Sequence, residues 1–253
     1  SAVNGSAAFL GFGGGNDTVN LFSSELNSST IALGGGADVF SASIESAVGL
    51  RIEGDTVGDT VFFGNDSLRI AGTDLGESAL AQGGGGADLL AISASVATAS
   101  TINGNAGHDS IVLSAIVAAS SASLVGGGAG NDTITISAAL AQASATINGG
   151  GGDDVLSFSG IVANTGAVNY VSGGAGEDTI GLGTVHSGTS TQVQFAAFSD
   201  SNISAFDTIS ANANNTDASY NLSQSAVNFA SAQSLNVGDF TTNTGGVVSF
   251  VSA

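Results

Sequence analysis

Apolar residues recur along this chain in short alternating pairs, and the pairs return at a nearly fixed spacing. Val19/Leu21, Phe40/Ala42, Leu90/Ile92, Ile111/Leu113, Ile134/Ile136, Leu156/Phe158 and Ile180/Leu182 each alternate with small or polar residues. A period of two puts one face of a strand in a core and the other in solvent. A second apolar series, Leu10, Ile31, Ile52, Ala81, Ile102, Val125, Ile147 and Val171, precedes these pairs. Each member stands seven residues before an aspartate, Ile52 before the weakest copy, Asp59. The pattern predicts two strands per repeat, each stacking on its own copies along one axis. Between repeats lie stretches without Gly or Asp, such as residues 93–100 and 137–144. They predict a far edge closed by small residues around an apolar plug of Val96, Val117, Leu140 and Val162.

A turn joins the two series. Residues 126–136 show it most fully, as Gly-Gly-Gly-Ala-Gly-Asn-Asp-Thr-Ile-Thr-Ile. Aligned on the aspartate, its copies are Gly13-Gly14-Gly15-Asn16-Asp17, Gly34-Gly35-Gly36-Ala37-Asp38, Gly84-Gly85-Gly86-Ala87-Asp88, Asn105-Ala106-Gly107-His108-Asp109, Gly128-Ala129-Gly130-Asn131-Asp132, Gly150-Gly151-Gly152-Asp153-Asp154 and Gly174-Ala175-Gly176-Glu177-Asp178. Their aspartates are 21 residues apart (17 to 38, 88 to 109) or 22 to 24 apart (109 to 132 to 154 to 178), and a weaker Gly58-Asp59 follows Asp38 by 21. Such a period marks a stacked repeat rather than a single globular core. Glycine lets the turn's backbone adopt positive φ and aim its carbonyls inward. Carbonyls plus one or two carboxylates are what a hard cation such as calcium requires.

The turn resembles the glycine- and aspartate-rich nonapeptide of the RTX family of secreted proteins, Gly-Gly-x-Gly-x-Asp-x-U-x with U a large apolar residue. Residues 127–135 and 173–181 match it at every defined position, and the resemblance covers about residues 10–183. It implies a right-handed parallel β-roll, all-β, that stacks calcium ions between successive turns. The implied ligands are Asp17, Asp38, Asp59, Asp88, Asp109, Asp132, Asp154 and Asp178. Carbonyls of Gly13, Gly15, Gly34, Gly36, Gly84, Gly86, Gly107, Gly128, Gly130, Gly150, Gly152, Gly174 and Gly176 would help them. Unlike the family pattern, in which the motif returns every nine residues or so, it returns here about every 21. One edge should therefore carry a single file of about five to seven calcium ions, and the other should be dry.

Residues 44–80 break the rhythm. Two imperfect turns, at Asp59 and at Gly64-Asn65-Asp66, lie seven residues apart, and Asp88 follows Asp66 by 22. An inserted loop at about residues 62–76 is the simplest account; if Asp59 still ligates, the file is continuous. Both arginines, Arg51 and Arg69, fall in this region and read as local countercharges to Glu53, Asp55, Asp59 or Asp66. Past Leu182 the glycine turns stop. Residues 184–253 hold Phe195, Phe198, Phe206, Tyr220, Phe229, Phe240 and Phe250, with a faded turn at residues 206–209. They predict a β-rich cap or assembly segment beyond a solenoid of residues 1–183.

Charge narrows the function. The chain has 21 acids and 2 bases, a net charge of −19. That argues against nucleic acid, whose binding rests on Lys and Arg, and against anionic membrane surfaces. Disorder is excluded by the periodicity of the 42% hydrophobic residues. The 39 glycines, with no Pro, Trp or Met, suit thin coils better than a globular core. No cysteine and no long apolar run appear, so neither disulfides nor a membrane span is expected. The chain opens at Ser1 without Met and reads as a processed protein or a fragment.

Catalytic readings are weaker. His108 beside Asp109 could be drawn as part of a triad, but its position is filled elsewhere by Asn16, Ala37, Ala87, Asn131, Asp153 and Glu177, which marks a solvent-facing filler. His186 follows the last clean turn. The glycine runs are followed by no Lys that would hold a phosphate, and two histidines without cysteine do not suit zinc. The expectation is a non-enzymatic, secreted or cell-surface calcium-binding structural protein, a block of a surface layer or filament that self-associates. The alternatives are a secretion and folding domain of a larger secreted enzyme, or an adhesin.

Overall fold

The computed structural model describes residues 8–55, 64–96, 99–115, 117–118, 123–137, 140–141, 145–159, 162–163 and 168–182, and the strand segments 190–195, 208–211, 219–221, 223–224 and 247–249. It is all-β, a solenoid of parallel strands, as the alternating pairs predict. One sheet takes the strand that enters each turn, running Phe9–Gly14, Thr30–Gly35, Arg51–Glu53, Leu80–Gly85, Thr101–Ala106, Leu124–Ala129, Thr146–Gly151 and Val168–Ala175. The other takes the strand that leaves it, from Thr18–Glu25 and Val39–Ser46 through Ser67–Gly72 to Thr179–Leu182.

Register is in phase with the repeat. Ile31 pairs with Ile52 and Ile52 with Ala81 in the first sheet; Ile111 pairs with Ile134 and Ile134 with Leu156 in the second. A slip of one residue would turn every apolar side chain outward, so the pattern itself pins the register. The core is the narrow space between the sheets, filled by like residues stacked on like: Ile102, Val125 and Ile147 face Ile111, Ile134 and Leu156, all fully buried. Such burial contributes a few kcal/mol per coil at about 25 cal/mol per Å², the same order as the ordering entropy it opposes.

The far edge is lined by buried apolar residues, with buried Ser29, Ser100 and Ser123 beside them. Leu26, Ala47, Leu75 and Val96 are buried there. Further along, Val117–Ala118, Leu140–Ala141 and Val162–Ala163 form a third short sheet, so these coils carry three strands rather than the expected two.

One expectation needs correction. Ser67–Gly72 is no inserted loop: it pairs with Val39–Ser46 and with Leu89–Ile92. The extra residues fall earlier. Gly54 and Asp55 still follow the entering strand, while Gly64 already stacks on Gly36, so the insertion lies between Asp55 and Gly64. Residues 184–253, expected as a β-rich cap or assembly segment, have described strands that add rungs to the same sheets. Ser190–Phe195 pairs with Val168–Ala175, and Thr208–Ala211 pairs with Thr179–Leu182 in the register of the faded turn. Phe198, Phe206, Phe229, Phe240 and Phe250 lie outside the described residues.

Candidate metal centre

Two positions of positive φ, glycine in most coils, shape the turn. Gly128 and Gly130 have φ of 120° and 117°, a region that side chains with a Cβ rarely adopt. A Cβ would also meet the preceding coil, 1.9 Å from the Asn105 carbonyl oxygen and 1.8 Å from that of Gly107. These two positions, four and two residues before the aspartate, therefore secure close stacking. Asn105 fills the first of them with φ 80°, in keeping with the tolerance of asparagine for positive φ.

Stacking brings the aspartates into a file. The backbone N–H of Asp17 donates to Oδ1 of Asp38 at 2.7 Å, Asp38 to Asp66 at 2.7 Å and Asp66 to Asp88 at 2.8 Å. Asp88 donates to Asp109, Asp109 to Asp132, Asp132 to Asp154 and Asp154 to Asp178, at 2.7 to 2.9 Å. Seven of the eight expected aspartates thus line up. Asp59 lies outside the described residues, and the rung between Asp38 and Asp88 belongs to Asp66. The spacing held the clue, since Asp66 precedes Asp88 by 22 residues and Gly64-Asn65 stands in the turn phase.

In six of these carboxylates one oxygen is thereby satisfied and the other is not. Oδ2 of Asp38, Asp66, Asp88, Asp109, Asp132 and Asp154 is buried without a hydrogen-bond partner. Burial accordingly lifts these carboxyls: Asp66 to about 7, Asp88 to about 8, Asp109 to about 6 and Asp154 to about 7, with Asp38 and Asp132 also raised. The N–H from the preceding coil opposes the rise, and neighbouring carboxylates add to it for all of these except Asp132. A stack of ionised, half-satisfied carboxylates is costly unless a proton or a cation offsets it.

The space beside Oδ2 is made by a third glycine, five residues before the aspartate in the regular coils. A Cβ on Gly127 would stand 2.3 Å from Asp132 Oδ2 and 2.4 Å from the carbonyl oxygen of Gly149 in the next coil. Gly83, Gly104 and Gly149 repeat the arrangement, and Gly54 repeats it with Asp66 across the insertion. Sequence reasoning assigned ligand roles to the other two glycines of each turn and passed over this one. Its signal was the first Gly of the nonapeptide.

The residue before each aspartate has a task too. Oδ1 of Asn16, Asn65, Asn131 and Asp153 accepts the N–H of Ala37, Ala87, Asp153 and Glu177 in the next coil, at 2.8 to 3.0 Å. His108 is exposed, as a solvent-facing position should be, and its Nδ1 also accepts from the Asn131 N–H at 2.8 Å. This exposed file runs opposite in sense to the aspartate file. Where the position is alanine, at Ala37 and Ala87, the side chain offers no acceptor.

The insertion coil is tied by charge. The carboxylate of Asp55, itself buried, accepts from the N–H groups of Gly85 and Gly64. Arg51 pairs with Glu53, as its countercharge role requires, whereas Arg69 lies on the exposed face of its strand.

Among the described residues no three His, Cys, Asp or Glu side chains gather to hold a metal. A cation in this file would take most of its ligands from backbone carbonyls, with Asp Oδ2 supplying charge. The donors are all oxygen, which suits a hard cation and not a soft one. Among the described residues no helix is long and apolar enough to cross a membrane. Compared with protein families, with curated proteins and with solved structures, the chain matches none.

Proposed function

We propose that the chain is an RTX-like, calcium-dependent structural protein of the extracellular space, in which ions held along one edge fold and stiffen the solenoid. One observation carries this reading: the buried Oδ2 atoms, stacked coil on coil, that lack a partner. Cations between coils would supply such atoms with a counterion and offset the repulsion along the file. The net charge of −19 points the same way, since the chain has almost no cations of its own. No catalytic role is assigned: His108 is spent on a backbone N–H of the next coil. Self-association into a sheet or filament fits the large apolar side chains on outer faces, with Phe9 74% and Phe22 73% exposed.

The test is far-UV circular dichroism with sedimentation velocity, in EDTA and then across a calcium titration into the millimolar range of weak extracellular sites. β signal is expected to rise cooperatively with calcium, followed by larger species. Equal β signal in EDTA would remove calcium from the account, and a monomer at all concentrations would remove assembly.

A further inference from the structure

The third glycine is not present in every coil. It faces inward on the same side of its strand as the stacked core residue two places earlier: Val125 with Gly127, Ile147 with Gly149. In the two leading coils the equivalent positions are Leu33, fully buried in the core, and Phe12, packed against it. A branched apolar side chain therefore stands where later coils have only an α-carbon. Asp38 retains its buried, unpartnered Oδ2, but the space next to a glycine is missing.

Five intercoil positions are complete in the sense that one glycine site adjoins both the Oδ2 of its own aspartate and the carbonyl oxygen of the next coil's glycine. They run from Gly54, where these oxygens lie 2.3 and 2.0 Å from the Cβ position, to Gly149, where both lie 2.3 Å away. The oxygens thus converge on a volume that a single methyl group would fill. A dehydrated calcium ion needs oxygens at roughly 2.3–2.6 Å around a comparable volume, and leucine offers it none.

From this we infer that the inner glycine decides which coils take a cation: the file is open from Gly54/Asp66 onward through Gly149/Asp154 and is shut at Leu33 and Phe12. This rests on the calcium reading above, and it turns a uniform file into a bounded one, with a metal-free apolar end.

Calcium bound per chain, measured by native mass spectrometry and equilibrium dialysis at saturating calcium, tests it with conservative variants. Asn keeps an Oδ1 that can accept the N–H of the preceding coil, so the ladder persists while the charge on Oδ2 is lost. Asp132→Asn and Asp88→Asn should each lower the count by one ion, and Asp38→Asn should leave it unchanged. Two positions inside the file keep the contrast readable if one variant folds poorly. Loss of an ion in Asp38→Asn, or none in both Asp88→Asn and Asp132→Asn, would overturn the inference while leaving calcium binding intact. A wild-type chain that binds no calcium would instead overturn the reading on which it rests.

Discussion

The two leading coils and those from Asp66 onward share one backbone path, one register and one aspartate ladder, yet they hold their interiors in different ways. In the leading coils Leu33 is buried and Phe12 packs against the core, so the turn is closed by hydrocarbon. In the later coils Gly83, Gly104, Gly127 and Gly149 leave that place to oxygens. The comparison teaches that the hydrogen-bond ladder does not depend on the inner glycine. Asp38 is fully part of the ladder, accepting from Asp17 and donating to Asp66, without a glycine at its side. A ladder needs only Oδ1 and a backbone N–H, whereas a cation needs the space next to Oδ2.

The largest expected effect is that of calcium removal, and it should fall unevenly. In EDTA, amide hydrogen exchange of Thr101–Ala106 and Thr146–Gly151 should accelerate by about 100-fold or more relative to saturating calcium, the ratio set by mass action on a bound ligand. Val39–Ser46 should accelerate by about 10-fold or less, having hydrocarbon to hold its coil. Uniform acceleration of all strands would erase the distinction.

A pair of substitutions sharpens the same contrast. Gly127→Ala puts a methyl group 2.3 Å from Asp132 Oδ2 and 2.4 Å from the Gly149 carbonyl oxygen, and should destabilise the chain by about 2–4 kcal/mol, with a larger loss in calcium than in EDTA. Leu33→Ala empties a fully buried site and should cost a similar about 2–4 kcal/mol with and without calcium. Denaturant melts of both variants in both buffers give the four values. The prediction fails if the two variants respond to calcium alike.

Acidity separates the regions next. Asp109, Asp66, Asp154 and Asp88 hold their protons to about 6, 7, 7 and 8 in the fold, against 3.8 for the ordinary carboxyl. In that window the folded chain binds more protons than the unfolded one, so without calcium its stability falls as pH rises from near 4 to about 8. Proton and cation compete for the same oxygens, so the gain from calcium should grow over the same range. Thermal melts from pH 4.5 to 8 should show the EDTA curve descending while the calcium increment rises. An EDTA curve that climbs with pH would mean that the carboxyls are ionised and satisfied without metal.

Much of the architecture was legible from spacing alone. The ladders of Ile31, Ile52 and Ala81 and of Ile111, Ile134 and Leu156 are written in the sequence as apolar residues in constant phase, and register follows from them. The insertion was misplaced because Asp59 lies 21 residues after Asp38, which imitates the period, whereas register is decided by pairing on both sides and selects Asp66. The inner glycines were passed over for a different reason. A positive φ can be guessed from a turn, but the space that a missing Cβ leaves for a side chain five residues later exists only once the turn has closed. The continuation of the sheets through Ser190–Phe195 and Thr208–Ala211 left only the faded turn at residues 206–209 as its sign, since strands can pair without the glycine signal.

The smallest effect is expected on the exposed file, and it tests whether that file belongs to stacking or to metal. His108 Nδ1 accepts the Asn131 N–H, and Asn131 Oδ1 accepts the Asp153 N–H, both at exposed positions of the turn. Replacing either by Ala frees a backbone N–H that water can reach, so the cost should be about 0.5–1 kcal/mol, the same in EDTA as in calcium. Ala37 and Ala87 show that the solenoid already tolerates coils without this acceptor. His108→Gln, which can restore an acceptor, should recover part of the loss, and calcium affinity should stay within about twofold in all three variants. A marked fall in calcium affinity on His108→Ala would tie the outer file to the ions and assign the carboxylate ladder only part of the site.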